Sequence, residues 1–119
     1  MKKIEAIIRS SKFDEVKEAL HEIGITFFSY YDVVGVGNEI KKADHSYRGT
    51  VYDSSYIPRR ALTIVVRDIN LRKTVDCVLA SAYTGETGDG RIFVTPVEEA
   101  WKIRTKINGD DSLKGEAEK

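Results

Sequence analysis

A glycine-rich turn is the segment of this sequence whose residue types are best suited to chemistry. The stretch YTGETGDGRIFV spans residues 83–94 and places three glycines before an apolar run. Adjacent glycines let main-chain N–H groups approach an anion closely, and Arg91 adds a planar cation that pairs well with phosphate. Gly85 and Gly90 have the spacing of a phosphate loop, but Arg91 and Ile92 replace the lysine and the hydroxyl residue of that motif. By itself the turn predicts either an anion site or only a connection between two elements.

A second glycine turn, Gly35-Val-Gly37, also allows close approach of the main chain to a ligand. It is not a dinucleotide fingerprint, because Ile40 stands at the sixth position and no helix pattern follows. Four cations lie elsewhere along the chain, at Arg59, Arg60, Lys102 and Arg104. Singly these are ordinary surface charges, but together with two glycine turns they favour a polyphosphate ligand.

Covalent catalysis is not predicted. His21 and His45 fall on separate segments, and no Ser/His/Asp or Cys/His arrangement is evident. Cys77 is the only cysteine, so the chain has no internal disulfide. Its place within a helical apolar pattern predicts a small buried side chain.

The composition indicates one soluble domain. The chain has 119 residues, 41% of them hydrophobic, with 19 basic and 19 acidic side chains. Zero net charge gives no general attraction to nucleic acid or to anionic lipid. The apolar runs are far shorter than the roughly 20 residues that span a bilayer, and no signal-peptide pattern is present, so a cytoplasmic protein is expected.

Hydrophobic periodicity predicts six elements in the order β-α-β-β-α-β, an α+β ferredoxin-like fold. The first helix is expected over Asp14–Ile23, with Ser10 or Ser11 as N-cap and Gly24 as its end. The second follows caps at Asp68 or Asn70, runs to about Ser81, and buries a stripe of Leu71, Val75, Val78 and Leu79. The strands are expected over 3–9, 26–36, 61–67 and 91–95, with a further short extended piece over 100–105.

Two features of this arrangement suggest contact with other protein molecules: an uncovered sheet face and a long loop. Two helices cover only one face of the sheet, so burial of the other face predicts an oligomer. Residues 37–58 form a loop of 22 residues between two strands, far longer than an ordinary hairpin connection. Its tyrosines and Arg48 suit contact with another macromolecule, although a mobile extension without a partner is the alternative.

An RNA-recognition domain has the same element order but requires aromatic side chains on its third strand. Here that strand is Arg60–Arg67 and contains no aromatic residue, so nucleic acid is not an expected partner.

The sequence resembles the PII signal transduction proteins over nearly its whole length. The resemblance rests on MKKIEAIIR at the start, EALHEIGI at 18–25, YRGTVY at 47–52, TGETGDGRIFV at 84–94 and KIRT at 102–105. It is most similar to the branch that regulates ammonium transporters. The resemblance implies a non-enzymatic regulator of nitrogen metabolism: a homotrimer with sheets facing inward and ATP or ADP bound in clefts between subunits.

The resemblance also assigns residues. The domain would span 1–106, with the target-binding T-loop at about 37–58, the phosphate-binding B-loop at about 83–91, and a flexible tail over 107–119. Nucleotide binding is implied for Ser29, Gly35, Gly37, Asn38, Glu39, Val65, Gly88, Asp89, Gly90, Arg91, Lys102 and Arg104, the last two reaching across from a neighbouring subunit. Arg48 matches an arginine that plugs the transporter's pore, and Tyr52 matches a tyrosine that some relatives modify. Such a protein would be cytoplasmic and recruited to the inner membrane face by its transporter.

Relatives also sense 2-oxoglutarate, and here the sequence departs from their pattern. Glu39 replaces a glutamine that helps hold magnesium, and Arg59 replaces a lysine that grips a carboxylate. An acidic side chain can ligate Mg²⁺, but it repels the carboxylates of 2-oxoglutarate, at a cost of about 1–3 kcal/mol. Adenine nucleotide binding is therefore the firmer expectation. Because Glu39 would lie beside magnesium and ATP, slow ATP hydrolysis is one alternative function. Regulation of a different membrane or metabolic partner is another.

Overall fold

The computed structural model describes residues 1–35, 46–47, 50–51 and 57–114. Its strands are β1 (Lys2–Arg9), β2 (Ser29–Val33), β3 (Ser46–Tyr47), β4 (Thr50–Val51), β5 (Arg59–Val66) and β6 (Arg91–Pro96). Its helices are α1 (Phe13–Glu22) and α2 (Leu71–Ala82), each entered through a short 3-10 turn, and a third 3-10 turn lies at Gly109–Leu113.

Four strands form one antiparallel sheet in the order β2-β5-β1-β6. The central strands β1 and β5 pair along their whole length, from Lys2 opposite Val66 to Arg9 opposite Arg59. The two outer strands come from the two halves of the chain, which is the split β-α-β arrangement. The ferredoxin-like α+β fold predicted from periodicity is confirmed. The short strands β3 and β4 pair only with each other, Ser46 opposite Val51.

The hydrophobic core lies between this sheet and the two helices. Along β1, Ile4, Ala6 and Ile8 are buried and the residues between them are not, because successive strand side chains point to opposite faces. Helix α1 contributes Phe13, Val16 and Leu20 at helical spacing. These residues hold the sheet rigid beneath the loops at its two ends.

The C-terminal end of α1 is as predicted, with Gly24 ending the helix, but the residue at its N-cap is not the one predicted. Gly24 adopts φ +88°, its N–H donates to the His21 carbonyl, and the Ile25 N–H donates to Leu20, which together form a Schellman motif. The predicted N-caps are wrong, since Ser10–Lys12 forms a 3-10 turn and Lys12 precedes the helix with no side-chain cap. The Ser10 N–H donates to the Pro58 carbonyl, so both serines belong to the 3-10 turn and Lys12 takes the N-cap position of the α-helix.

The buried stripe of α2 is centred differently from the prediction, because Val78 is the only one of the four predicted residues that is fully buried. Thr74, Val78 and Ala82 are buried at four-residue intervals, with Leu71 and Val75 partly buried beside them. Leu79 is 55% exposed, because it follows Val78 by about 100° around the helix and leaves the core-facing side. Asn70 is at the N-cap without a side-chain cap, and Thr74 donates its hydroxyl to the Asn70 carbonyl at 2.7 Å.

Cys77 is half-buried and packs against the edge of the core, so its predicted burial is only partial. Burial, with Glu22 nearby, raises the pKa of its thiol. The side chain behaves as a small hydrophobe in this position.

Among the described residues, no helix covers the second face of the sheet. Phe93 on β6 and Tyr31 on β2 remain 47% and 55% exposed there. Between them lies Glu5, whose carboxylate accepts a long hydrogen bond from the Tyr31 hydroxyl. We call this surface, which carries Glu5, Tyr31 and Phe93, the open face.

Three segments differ in extent or order from the prediction. Strand β2 covers only Ser29–Val33 of the predicted 26–36. In the 100–105 segment, only Trp101 is extended, in a bridge to Asn108. Gly109–Leu113 forms a 3-10 turn within the segment predicted to be a flexible tail, and residues 115–119 lie outside the described part of the chain.

Candidate functional site

The glycine-rich turn lies where three strand ends meet. Antiparallel register places Arg9 at the end of β1 opposite Arg59 at the start of β5. It also places Ile7 opposite Arg91, the first residue of β6. The turn that enters β6 therefore lies over the ends of β1 and β5, where Arg9 and Arg59 contact it and Arg91 directly follows it in the chain. We call this the arginine end of the sheet.

Gly90 is required by close packing of the main chain. It has φ +103°, and a Cβ there would lie 1.7 Å from the Ile7 carbonyl oxygen. No side chain fits in that space, so β6 can approach β1 at this point only with glycine.

Gly88 is packed against side chains instead. It has φ +101°, and a Cβ would lie 3.0 Å from Ile57 Cδ1 and 3.1 Å from Arg59 Nη2. The main chain of the turn thus lies directly against the Arg59 guanidinium, with Arg9 Nη2 slightly farther away. A ligand bound by this main chain would be next to both cations.

Asp89 closes the turn onto itself. Its carboxylate accepts hydrogen bonds from the Thr84 and Gly85 N–H groups at 2.8 and 2.9 Å, and from the Thr84 hydroxyl. Arg9 Nε donates to the same carboxylate at 3.0 Å. Asp89 therefore organises the turn through its side chain, and any contact with a ligand would come from its main chain.

These contacts shift the ionisation of Asp89. Burial of the carboxyl raises its pKa, but the hydrogen bonds from Thr84, Arg9 and Gly85 outweigh burial and hold the pKa well below its usual range. The group is therefore ionised at any physiological pH, and the turn keeps its internal anion.

Arg9 contributes to the site and was not among the residues singled out in the sequence. Besides its bond to Asp89, its Nη2 donates to the Thr87 carbonyl at 2.7 Å. One guanidinium thus bridges two points of the turn, which a lysine with a single nitrogen could not do in the same way. The sequence feature that could have identified Arg9 is its position at the end of the first predicted strand. Antiparallel pairing of that strand with the last one brings this end close to Arg91.

Arg59 joins the two glycine segments. Its Nη2 lies beside Gly88, and a Cβ on Gly35 would lie 3.3 Å from its Nη1. Nη1 also makes a long bond to the Ile57 carbonyl. The structure therefore brings together six of the predicted positions at the arginine end: Gly35, Arg59, Gly88, Asp89, Gly90 and Arg91.

The remaining described positions lie toward the opposite end of the sheet. Val65 is opposite Lys3, and Ser29 is opposite Thr63, so both side chains belong to the open face. Along β5, Val65 comes six positions after Arg59, which is about 20 Å at the usual rise of a strand. Pro96 pairs with Lys2 and Val97 bonds to Met1, so the chain that leads to Lys102 and Arg104 leaves β6 at this far end.

The other predicted positions belong to the long loop that precedes β5. Gly37, Asn38 and Glu39 at the base of the long loop lie outside the described residues, as do Arg48 and Tyr52. Within the described part of the chain, no group of three His, Cys, Asp or Glu side chains is arranged to hold a metal ion. In that same part, no helix has both the length and the apolar character needed to cross a membrane.

Comparison with known proteins gives a consistent result. The family profile described as Nitrogen regulatory protein P-II matches residues 1–107. A nitrogen regulatory protein P-II of Azospirillum brasilense is 43% identical over 113 residues, covering 95% of this chain and 100% of that protein. One from Rhodospirillum rubrum is 42% identical with the same coverage, and one from Microchaete diplosiphon is 45% identical over 88% of this chain and 93% of that protein.

Proposed function

The chain belongs to the nitrogen regulatory protein P-II family, and from this premise we propose that it binds ATP or ADP between the subunits of a homotrimer. P-II proteins are non-enzymatic signalling proteins that bind ATP or ADP and 2-oxoglutarate. In this proposal the nucleotide biases the loop between β2 and β5, and that loop regulates a target, an ammonium transporter. The protein is then cytoplasmic and is recruited to the inner face of the membrane by that transporter.

The separation of the predicted nucleotide residues is the observation that carries this proposal. One group lies at the arginine end, and the other lies toward the far end of the sheet. Along β5 the far group begins at the position of Ser29, about 13 Å from Arg59, and reaches Val65 at about 20 Å, and the chain to Lys102 and Arg104 leaves β6 at that end. A single nucleotide cannot contact both groups within one subunit. It can do so if the arginine end of one subunit faces the far end of the next.

The open face supports assembly of such subunits. Phe93 and Tyr31 are large apolar side chains on a surface that no described helix covers. Burial of apolar surface stabilises association by about 25 cal/mol per Å², so a face of this kind favours contact with further copies of the chain. Inward-facing sheets would place the sheet ends of neighbouring subunits side by side.

The chemistry of the arginine end suits phosphate. Arg59 and Arg91 are planar cations that form paired hydrogen bonds with phosphate oxygens. Gly88 and Gly90 adopt positive φ, which lets the main chain of the turn fold tightly against β1 and Arg59, next to the cations that would meet a phosphate. Asp89 does not oppose binding strongly, because its charge is already paired with Arg9 and two main-chain N–H groups.

Arg59 offers a physical route from the nucleotide to the loop. It begins β5, so it directly follows the long loop, and its guanidinium lies beside Gly88 of the turn and Gly35 before the loop. A phosphate that draws Arg59 toward the turn would shift both ends of the loop at once, the end near Gly35 and the end at Arg59 itself. Population of loop conformations would then depend on which nucleotide is bound.

The proposed roles of the loop residues rest on the resemblance to PII proteins. Arg48 would enter the transporter's pore and Tyr52 would be the modifiable tyrosine. Glu39 would be the protein ligand for Mg²⁺ beside ATP. Glu39 and Arg59 would also face 2-oxoglutarate, and the negative charge of Glu39 would lower the affinity of the protein for that ligand. No step of the proposed switch depends on Mg²⁺.

Isothermal titration calorimetry with ATP, ADP and AMP, each with and without Mg²⁺ and 2-oxoglutarate, tests nucleotide binding. We expect ATP and ADP to bind with up to three sites per trimer, and AMP to bind more weakly because it offers fewer phosphate oxygens. A protein that binds none of the three nucleotides contradicts the proposal.

A matched pair of variants tests the phosphate assignment. Arg91→Gln should lower ADP affinity about tenfold or more, since a charge-assisted hydrogen bond is worth roughly 1.5–3 kcal/mol. Arg72→Gln removes an exposed arginine from α2 and should leave ADP affinity unchanged. Equal affinities for the two variants would exclude Arg91 from the site.

A further inference from the structure

The chain after β6 folds into a small hairpin around Lys102. The Lys102 N–H donates to the Ile107 carbonyl at 2.8 Å, and the Lys106 N–H donates back to the Lys102 carbonyl at 2.7 Å. Trp101 forms a bridge to Asn108 just beyond this pair. Lys106 turns the hairpin with φ +61°. The residues that follow Asn108 therefore run back toward Ala100, where the hairpin begins.

A 3-10 turn then fixes the returning chain. The Gly109 N–H donates to the Ala100 carbonyl at 2.9 Å, and the Ser112 hydroxyl donates to the Gly109 carbonyl at 2.6 Å. Gly109 has φ +75°, which only glycine adopts without strain. We call residues 108–114 the C-terminal clasp.

The clasp ends on the side chain of Lys102. Lys102 Nζ donates a hydrogen bond of 2.9 Å to the Lys114 carbonyl. Lys114 is itself steadied by an ion pair with Asp111 at 3.2 Å. As a result the Lys102 side chain is half-buried against its own subunit, whereas its neighbour Ile103 is 93% exposed.

We infer that the C-terminal clasp competes with nucleotide phosphate for Lys102 and so lowers nucleotide affinity. This inference rests on the proposed function, in which Lys102 reaches a nucleotide held by the neighbouring subunit. The ammonium cannot both lie on the Lys114 carbonyl and extend away from its own subunit. The family profile ends at residue 107, so the clasp lies beyond the part of the chain that matches it.

The strength of the effect follows from the fraction of molecules in which the clasp is open. Apparent affinity is the intrinsic affinity multiplied by that fraction. One hydrogen bond from a charged donor, partly exposed to water, should raise the dissociation constant about three- to tenfold.

Gly109→Val in the full chain is the test, with ADP as the probe. A β-branched residue at φ +75° strains the turn, yet a Cβ there meets nothing within 4 Å, so the variant acts on the clasp alone. Gly24→Val is the matched control, because Gly24 has φ +88° and equally open surroundings at the end of α1. Calorimetry should show ADP affinity raised about three- to tenfold in Gly109→Val and unchanged in Gly24→Val.

A double-mutant cycle with Lys102→Ala identifies the contact. If the clasp acts through Lys102, Gly109→Val should give no gain in the Lys102→Ala background. ADP binding that is the same in Gly109→Val and in the native chain overturns the inference and leaves the proposed function intact. A gain that persists without Lys102 also overturns it. If neither the native chain nor Gly109→Val binds ADP, the proposed function fails as well.

Discussion

At the scale of single residues, the glycine turn depends on one pair that is distant in sequence. Arg9 and Asp89 are 80 positions apart and form an ion pair of 3.0 Å. The pair fixes the shape of the turn through contacts within the chain itself, so a phosphate would meet a site that is already shaped. Preorganisation of this kind lowers the entropic cost of binding.

The ionisation of Asp89 gives the first prediction. Its pKa is depressed in the folded protein, so its contribution to stability is fully present above the unfolded value of about 3.9. That contribution is lost as the pH falls through the lower folded value. NMR titration of the Asp89 carboxyl should give a pKa well below 3.9, whereas Arg9→Ala should move it upward because one of its hydrogen bonds is removed. An unshifted pKa in the native chain contradicts the hydrogen-bond network.

Gly90 gives the second prediction. Gly90→Ala would push a methyl group into the Ile7 carbonyl, so we expect the free energy of unfolding to fall by about 2–4 kcal/mol. Gly24→Ala, at a similar φ in open space, should cost only about 1 kcal/mol. Urea denaturation of both variants measures the difference, and equal losses would mean that β6 does not approach β1 as closely as described.

At the scale of elements, the two helices and the sheet do different work. The helices bury one face of the sheet and so form the hydrophobic core with it, while the strand ends carry the residues of the candidate site. The register of β1 with β5 and β6 places Arg9, Arg59 and Arg91 together. A slip by one residue would send every side chain to the other face.

The stripe of α2 gives the third prediction. Val78→Ala should lower the free energy of unfolding by about 2 kcal/mol, because Val78 is fully buried and its loss leaves a cavity. Leu79→Ala should change it by less than about 0.5 kcal/mol, since Leu79 is 55% exposed. Thermal and urea denaturation distinguish the two. A larger loss for Leu79→Ala would show that α2 presents a different side to the core.

At the scale of the whole molecule, the open face and the separated halves of the site point to the same arrangement. In the proposed function, each subunit contributes its phosphate-binding residues from the arginine end and its base-lining residues from nearer the other end of the sheet. Only association of copies can complete the proposed site, so oligomeric state and nucleotide affinity should change together.

The fourth prediction concerns assembly. Phe93→Asp places a charge on the open face, and we expect the trimer to dissociate and ADP binding to be lost. Leu79→Asp places the same charge on exposed α2 and should leave the trimer intact. Size-exclusion chromatography with light scattering measures both masses. A trimer that survives Phe93→Asp would require a different interface.

Local patterns in the sequence determined the elements and their order. Strand alternation, the helical stripe around Val16 and Val78, and the stop at Gly24 all depend on neighbours within a few residues, so periodicity and turn chemistry reveal them. The resemblance to PII proteins added candidate residues that no local pattern could assign. It could not say how they lie relative to one another in one subunit.

Only the tertiary structure decided which distant residues meet. The bond from Arg9 to Asp89, the position of Arg59 between two glycine segments, and the clasp on Lys102 depend on strand register and on the return of the chain. The same is true of Leu79, whose exposure depends on which side of α2 faces the sheet. The physical reason is that periodicity reports which side of an element is apolar, whereas contacts between elements are fixed by packing and pairing of the whole chain.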